Sequence, residues 1–482
     1  MVEAPLVADP FVSTLALIGV VIVIAALLSG LIERSGVPQV GVLLALGAVL
    51  GPYGLRLIDP DLDSPVLRAV STLSLTLVLF TDALSLDLGE IRKHIKLTLL
   101  VLGPGTVLSA ILVTLMAGTL LGLSWPAAAV LGAALASTDP VLLRGLLRRT
   151  DLPGSARLAL RLESGLNDIV LLPIVLVAMT LLGTNPHGET AGAAGGWPGM
   201  ALRLFLLGPG AGVAVGLLAV ATLDLVRRRI GVRRDYESLY SLGVAFTAFA
   251  AAEAVHSSGF LAAFAAGMTI SVFDVELCDC FHEYGETTSE MTLLFTFVLL
   301  GSSLIWSGFP GAGWREVVFA VAVVLVRPAV FLLSLWPSKL DRRSLLLISW
   351  FGPRGLSSLL LVLVTVFAGM PGSGRLFSLC SLVVLLSVVL HGGSVMLFPK
   401  QGRGQAPAKP SGKPPEKIDL PEMLRLQTAG EPLIVLDVRT ARSRDTSELI
   451  APGTVRLDPE RAVQEAEHLS LPKEAWLVAF CA

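Results

Sequence analysis

Long apolar segments recur along residues 11–398, and this feature constrains the fold more than any other. A helix that spans a bilayer needs roughly 20 apolar residues. Only 15% of the residues are charged, against about 25% in soluble domains. The sequence therefore predicts an all-α polytopic membrane protein with about thirteen transmembrane helices, near residues 11–32, 37–56, 66–86, 96–121, 126–147, 158–182, 199–226, 237–255, 258–274, 288–308, 315–337, 343–368 and 374–398.

Basic residues concentrate in alternate connections between these segments, at residues 90–96, 144–161, 224–237, 338–344 and 399–413. Basic connections face the cytoplasm, so we expect the N-terminus outside and the C-terminus inside a bacterial-type inner (cell) membrane. The first segment lacks the basic start and the cleavage site of a signal peptide, which predicts a retained span. Residues 274–290 are acidic, yet this alternation makes them a cytoplasmic loop.

The sixth apolar segment opens with polar residues that membrane helices rarely contain. Glu163 and Asn167 share one helix face, and Ser164 and Asp168 share the adjacent face. Ionisable residues inside a span are costly, and they mark ion pathways or paired charges. One alternative leaves all four residues at the wet end of the helix. If the helix begins near Arg157, Asp168 instead lies ~16 Å deep, near the midplane.

Two segments carry signals for a broken helix. Pro140 cannot donate to the helical ladder, so Thr138 and Asp139 are predicted to lie in an unwound stretch. Freed carbonyls beside a carboxylate form a hard-oxygen site that suits a small cation. A turn at a helix end is the alternative. The motif GPRG at residues 352–355 predicts a second break, and two breaks in opposite halves are typical of inverted-repeat transporters.

Arg327 is flanked by apolar residues on both sides in the eleventh segment. A lone guanidinium in lipid is costly and needs a carboxylate partner. Glu163 is the natural candidate, so the sequence predicts a buried ion pair between the two residues.

These motifs together resemble a known family. ESGLND, STDP, VRP and GPRGLSS occur in the order and spacing of the monovalent cation:proton antiporter superfamily, in its sodium/proton exchanger branch with an Asn-Asp pair. VGVLLALGAVLGPYGL and SGFLAAFAAGM also match, and the resemblance covers about residues 10–400. It implies about thirteen helices, arranged as a dimerisation domain and a six-helix core where two broken helices cross.

The resemblance also implies a site for the transported cation. Asp168 would bind either the cation or the proton. Asp139, Ser164 and the carbonyl of Thr138 would complete the shell of the cation. Many relatives carry a glutamate where this chain has Asp82, which makes Asp82 a candidate for a water-mediated ligand.

Four further roles follow from the same resemblance. Glu163 and Arg327 would form an ion pair, with Asn167 hydrogen-bonded into that bridge. Arg354 would stabilise the second broken helix.

The expected function is exchange of Na⁺ for H⁺, with K⁺ and Li⁺ as alternatives because all three accept oxygen ligands. A buried carboxylate must be neutralised, and it can hold a proton or a cation but not both at low cost. With a neutral Asn beside it, one proton should replace one cation, which predicts electroneutral exchange for pH and sodium homeostasis. We expect a transporter rather than an enzyme, without a cofactor. Its partners would be monovalent cations and protons, the lipid bilayer and a second copy in a homodimer, without nucleic acid.

The C-terminal part has a different character. The expected domains are the antiporter domain at 1–399, a Pro-, Gly- and Lys-rich linker at 400–417 and a partial domain at 418–482. LIVLDVRT, IAPGTVRLDPE and WLVAFCA resemble a rhodanese-like α/β domain, in which Cys481 would be the thiol nucleophile. The closing helices are missing, so an inactive domain is expected. A longer reading frame, through UGA recoding or a frameshift, is a hypothesis that the downstream nucleotides test.

This tail defines the alternative function, a membrane-anchored sulfurtransferase or redox sensor. An anchor needs no ionisable residues within its spans, and that argues for exchange. The four cysteines show no disulfide framework. Cys278 and Cys280 with His282 form an incomplete zinc motif, and their role stays open.

Overall fold

The computed structural model divides into two compact units, Met1–Pro399 and Lys400–Ala482. It describes residues 19, 23–24, 27, 39–57, 59–86, 88–147, 152–182, 199, 201–230, 234–273, 275–338, 340–397, 433–438, 454–457, 465–466, 469 and 476–480. For residues 144–145, 234–235, 237–238, 275–284, 286–287, 290, 395–397 and 480, it describes the backbone alone.

Helices make up the first unit. In chain order they are α1 Gln39–Leu50, α2 Pro65–Ser85, α3 Leu88–Lys93, α4 Ile95–Leu121, α5 Trp125–Ala136, α6 Pro140–Leu147, α7 Gly154–Leu181, α8 Arg203–Arg229, α9 Arg234–Ala254, α10 Gly259–Phe273, α11 Val275–Ser302, α12 Trp314–Ser334, α13 Arg342–Trp350, α14 Leu356–Phe367 and α15 Ser373–Leu397. Short 3₁₀ turns follow α11 and α12, at Leu304–Gly308 and Trp336–Ser338. Within the described residues, seven helical segments are long and apolar enough to cross a membrane, one of them Trp125–Leu143 across α5 and α6, and five shorter apolar helices accompany them.

The predicted segments from 37–56 onward each coincide with one helix or with a broken pair. The first segment, 11–32, lies almost wholly outside the described residues. The total of thirteen spans and the inverted repeat therefore stay predictions.

The prediction of a loop at 274–290 is wrong. Helix α11 begins at Val275, so these acidic residues belong to a helix. Residues 275–290 contain no proline, and Glu and Leu favour helix. Charge alone therefore did not mark the helix boundary here.

A π turn at Val101–Val107 lies within α4. Pro104 lies inside the turn. Because proline has no backbone N–H, it removes one bond of the helical ladder, and π turns absorb that loss.

The helices form two packed groups. In one group α2, α8, α9 and α10 pack together, and α11 packs on α1 and α2. In the other group α4, α7, α12 and α15 pack around the two broken pairs, α5 with α6 and α13 with α14. Leucines such as Leu206 and Leu218 on α8 are exposed, as expected of a helix that faces lipid.

The second unit contains a small parallel sheet. Its strands are β1 Leu433–Asp437, β2 Val455–Arg456 and β3 Trp476–Phe480, in the order β2-β1-β3. Val435 pairs with Val478 across β1 and β3. The two strands predicted near Val435 and Val478 are confirmed, and the likeness to a rhodanese domain stays a prediction. Cys481 lies outside the described residues.

Candidate functional site

The two predicted breaks are confirmed, and they meet in the interior. The first separates α5 from α6 at residues 137–139, and the second separates α13 from α14 at residues 351–355. The backbone N–H of Asp139 donates to the carbonyl of Pro353 at 3.0 Å. The unwound backbone of each break therefore lies directly against the other.

Arg354, in the second break, binds free carbonyl groups at the C-terminal end of α5, the helix that precedes the first break. Its Nη1 donates to the carbonyls of Ala136 at 3.1 Å and Ser137 at 3.2 Å. A helix C-terminus leaves carbonyls without intrahelical partners and carries partial negative charge. The buried guanidinium therefore caps α5, in the first broken pair, and fixes it to the second break. The expected stabilisation of the second broken helix by Arg354 stays a prediction.

Asp139, in the first break, binds free N–H groups at the N-terminal ends of two helices. Its Oδ1 accepts from the backbone N–H of Val141 at 2.8 Å, at the start of α6. Its Oδ2 accepts from the backbone N–H of Leu356 at 2.5 Å, at the start of α14. A carboxylate at a helix N-terminus satisfies free N–H groups and complements the positive end of the dipole. In this structure Asp139 is thus a cap for two helices.

The crossing requires a glycine at 355. A Cβ atom there would meet Asp139 Oδ2 and push the carboxylate off the N-terminus of α14. We expect Gly355→Ala to destabilise the protein by about 1–3 kcal/mol, as overpacking of a filled core does. The thermal unfolding midpoint in detergent measures this cost.

Gly393→Ala is the matched control, because an added Cβ there meets nothing within 4 Å. Ala in place of an interior helical Gly should leave stability unchanged or raise it by up to ~1 kcal/mol. Equal unfolding midpoints for the two variants would contradict this account of the crossing.

The predicted pairing of Glu163 with Arg327 is present. Arg327 Nη2 lies 2.6 Å from Glu163 Oε2, and Arg327 Nε lies 3.3 Å from Oε1. Both side chains are at most 2% exposed. The pair is bidentate, which is the geometry that favours Arg over Lys.

Arg327 also reaches the second break. Its Nη1 donates to the carbonyls of Ile348 and Ser349, both at 2.7 Å, near the end of α13. A Cβ at position 352 would overlap the guanidinium, so Gly352 provides the space that it occupies. Arg327 therefore caps α13 as Arg354 caps α5.

Asp168 lies at the middle of the 28-residue helix α7 and faces the first break. Ser137 donates through its hydroxyl to Asp168 Oδ1 at 2.8 Å. The carboxylate is only 5% exposed. The alternative that placed this residue at a wet helix end is therefore wrong, because α7 begins at Gly154 and continues to Leu181.

Asn167 has a different partner from the one implied by the resemblance. Its Nδ2 donates to the carbonyl of Thr138 at 3.2 Å and approaches Ser137 Oγ at 3.5 Å. Thr138 in turn donates through its hydroxyl to Glu163 Oε1 at 2.7 Å. Among the described contacts, Asn167 is thus joined to the ion pair through Thr138 and is not bonded into the bridge.

Two other residues, Ser164 and Asp82, were also predicted to be cation ligands. Ser164 is buried, and its hydroxyl donates to the carbonyl of Arg161 in its own helix at 3.3 Å. Asp82 is half-buried near the C-terminal end of α2. Cation ligation by either residue stays a prediction.

Ser137 was missed from the sequence. The available signal was its position beside Thr138 in the motif STDP. The structure brings together the Asp168 carboxylate, the Ser137 hydroxyl and the Thr138 carbonyl. Oxygen atoms of these three kinds suit a hard monovalent or divalent cation.

Known proteins resemble this chain along most of its length. Residues 20–399 match a family model described as "Sodium/hydrogen exchanger, transmembrane". The chain is 26% identical over 385 residues to the K(+)/H(+) antiporter NhaP of Alkalimonas amylolytica, covering 79% of this chain and 65% of that protein. It is also 26% identical over 395 residues to Na(+)/H(+) antiporter 2 of Zygosaccharomyces rouxii, covering 73% and 48%. The chain thus matches less than two thirds of the length of these relatives.

A solved structure shares the fold. The sodium proton antiporter MjNhaP1 from Methanocaldococcus jannaschii, at pH 8, superposes with a TM-score of 0.66 at 19% identity. The match covers 80% of this chain and all of that chain.

Proposed function

Because the chain belongs to the sodium/hydrogen exchanger family, we propose that it is a secondary antiporter that exchanges a monovalent cation for protons across a membrane. The observation that carries this proposal is Asp168, a buried carboxylate at mid-helix that faces the unwound crossing. The family consists of ion transporters, not of enzymes.

In the proposed cycle Asp168 carries the transported ion. A charged carboxylate in a low-dielectric bundle is unfavourable, so it must be neutralised by a proton or by a cation before the site moves. Ser137 Oγ holds one carboxylate oxygen, and a cation at Asp168 would replace that bond with coordination by the hydroxyl oxygen. Thr138 supplies its carbonyl from the same stretch of backbone.

The neighbouring charges are already neutralised. Glu163 and Arg327 form an ion pair, and Asp139 and Arg354 cap helix ends. One carboxylate therefore changes its occupant, with the neutral amide of Asn167 beside it. We propose one proton for one cation, which makes the exchange electroneutral.

Sodium is the proposed cation, and potassium and lithium are the alternatives. The names of the relatives include both Na⁺ and K⁺ antiporters. Oxygen ligands accept all three ions, so the donor set does not choose among them. We further propose a role in pH and sodium homeostasis, a homodimer in the cell membrane, an outside N-terminus and a cytoplasmic C-terminus.

Everted membrane vesicles test the function. Addition of Na⁺, Li⁺ or K⁺ should collapse a preformed proton gradient, and the order of the three effects gives the selectivity. In proteoliposomes with a sodium gradient, no membrane potential should develop. A gradient that survives all three cations would contradict exchange, and a developing potential would contradict the one-to-one ratio.

The alternative function, sulfur transfer or redox sensing, depends on Cys481, which lies outside the described residues. A thiosulfate:cyanide assay on the same vesicles distinguishes it from exchange. The buried charges at the crossing favour exchange, because a membrane anchor does not need them.

A further inference from the structure

Helix α15 presents a polar stripe to the second break. Ser387, His391 and Ser394 are four and three residues apart and share one helix face. Ser387 and His391 are buried. Polar side chains within a membrane helix are costly unless they bind something. None of the roles assigned above to the ion pair, the caps or the cation site uses these three residues.

Ser387 binds the main chain of Arg354. The backbone N–H of Arg354 donates to Ser387 Oγ at 2.7 Å. This N–H lies in the unwound stretch and has no helical ladder to join. A buried backbone donor is costly when it lacks an acceptor, so Ser387 stabilises the open conformation of the break at the residue that caps α5.

His391 extends this contact. Its Nδ1 lies 3.0 Å from Ser387 Oγ and 3.2 Å from the carbonyl oxygen of Ser387. Because Ser387 Oγ already accepts from Arg354, its hydroxyl proton is available to Nδ1. In the other tautomer Nδ1–H donates to the carbonyl, so either form ties the ring to Ser387.

The same face of α15 also contacts Trp350, the last residue of α13. The ring of Trp350 lies 5.5 Å from the ring of His391. The indole Nε1–H of Trp350 donates to Ser394 Oγ at 3.1 Å. The stripe therefore contacts the chain on both sides of Phe351, Gly352 and Pro353.

We propose, on the basis of the proposed function, that Ser387, His391 and Ser394 form a brace that holds Arg354 in register with the first break. Ser387 and His391 are then positioning residues for exchange. A short series of contacts connects the brace with Asp168. The brace fixes the backbone of Arg354, and the guanidinium of Arg354 fixes the carbonyls of Ala136 and Ser137. Ser137 in turn contacts Asp168.

Ser387→Ala is the first test, in proteoliposomes loaded with purified protein. We expect the initial exchange rate to fall about tenfold, the order of effect seen when a buried donor loses its acceptor. Ser381→Ala is the matched control, because Ser381 lies on the same helix, is fully buried and has no hydrogen-bond partner among the described residues. Its rate should stay near that of the wild type.

Substitutions at His391 test whether it acts through Ser387. We expect His391→Leu to slow exchange and His391→Asn, which keeps a polar group near Nδ1, to restore most of the rate. The double variant Ser387→Ala/His391→Leu should be about as slow as Ser387→Ala alone. Two results would show that His391 does not act through Ser387. One is a double variant whose rate loss is the product of the two single losses, and the other is a His391→Asn variant as slow as His391→Leu.

Hydrogen exchange separates the brace from the transport function. The backbone N–H of Arg354, followed in a peptide of residues 351–358, should exchange faster in Ser387→Ala than in Ser381→Ala. Equal hydrogen-exchange rates in the two variants would overturn the brace. Faster hydrogen exchange in Ser387→Ala with an unchanged cation transport rate would overturn its role in transport. A wild type that moves no cation would contradict the proposed function, and hydrogen exchange would still decide on the brace.

Discussion

Asp168→Asn is expected to abolish cation/proton exchange while the protein still folds and inserts. The substitution removes the titrating carboxylate but keeps its size. The amide oxygen can still accept from Ser137 Oγ, which lies 2.8 Å from Asp168 Oδ1 in the wild type. An amide neither binds a proton at neutral pH nor neutralises a cation, so both halves of the cycle are lost. The initial rate of proton-gradient collapse in everted vesicles measures the effect and should reach the background of empty vesicles.

Asp224→Asn is the control for this substitution. Asp224 is also on a membrane helix, but it is exposed and paired with Arg228 at 2.9 Å. Its loss should leave the rate within about twofold, because exposed ion pairs contribute little. Near wild-type exchange by Asp168→Asn would show that the transported ion binds elsewhere, even if the chain is an antiporter.

The local features of the site were predictable from residue chemistry. Pro140 cannot donate to a helical ladder, and the break that this predicted is present at 137–139. Arg327 in an apolar segment needs an acidic partner, and Glu163 is that partner. A buried guanidinium has so few tolerable environments in a membrane that the sequence nearly determines its surroundings.

Other contacts between the two halves of the chain were not predictable in this way. Asp139 caps the helix that begins at Leu356, 217 residues later. Nothing in its spacing distinguishes such a cap from a cation ligand, because a carboxylate serves both purposes. Asn167 and Ser137 show the same limit, since their partners are decided by the backbone path of the crossing and not by helical periodicity.

Arg327→Ala is expected to destabilise the protein more than the double substitution Glu163→Ala/Arg327→Ala. The single change leaves the Glu163 carboxylate buried, with the hydroxyl of Thr138 as its one remaining hydrogen-bond donor among the described residues. Stranding a buried charge costs roughly 3–5 kcal/mol. Removal of both residues eliminates that charge, but it does not restore the caps on Ile348 and Ser349. The double variant should therefore lie between Arg327→Ala and the wild type.

Glu163→Ala alone should cost less than Arg327→Ala. The guanidinium that remains keeps two carbonyl acceptors at 2.7 Å and the face of Phe331, whose ring centre lies 4.2 Å from it. Unfolding midpoints of the four proteins in detergent give the coupling between the two residues. The exposed pair Asp224 and Arg228 provides a parallel cycle, whose coupling should stay below about 1 kcal/mol. Additive losses at Glu163 and Arg327 would mean that the two charges are stabilised independently. In that case the carbonyls of α13, and not the carboxylate, hold Arg327 in the bundle.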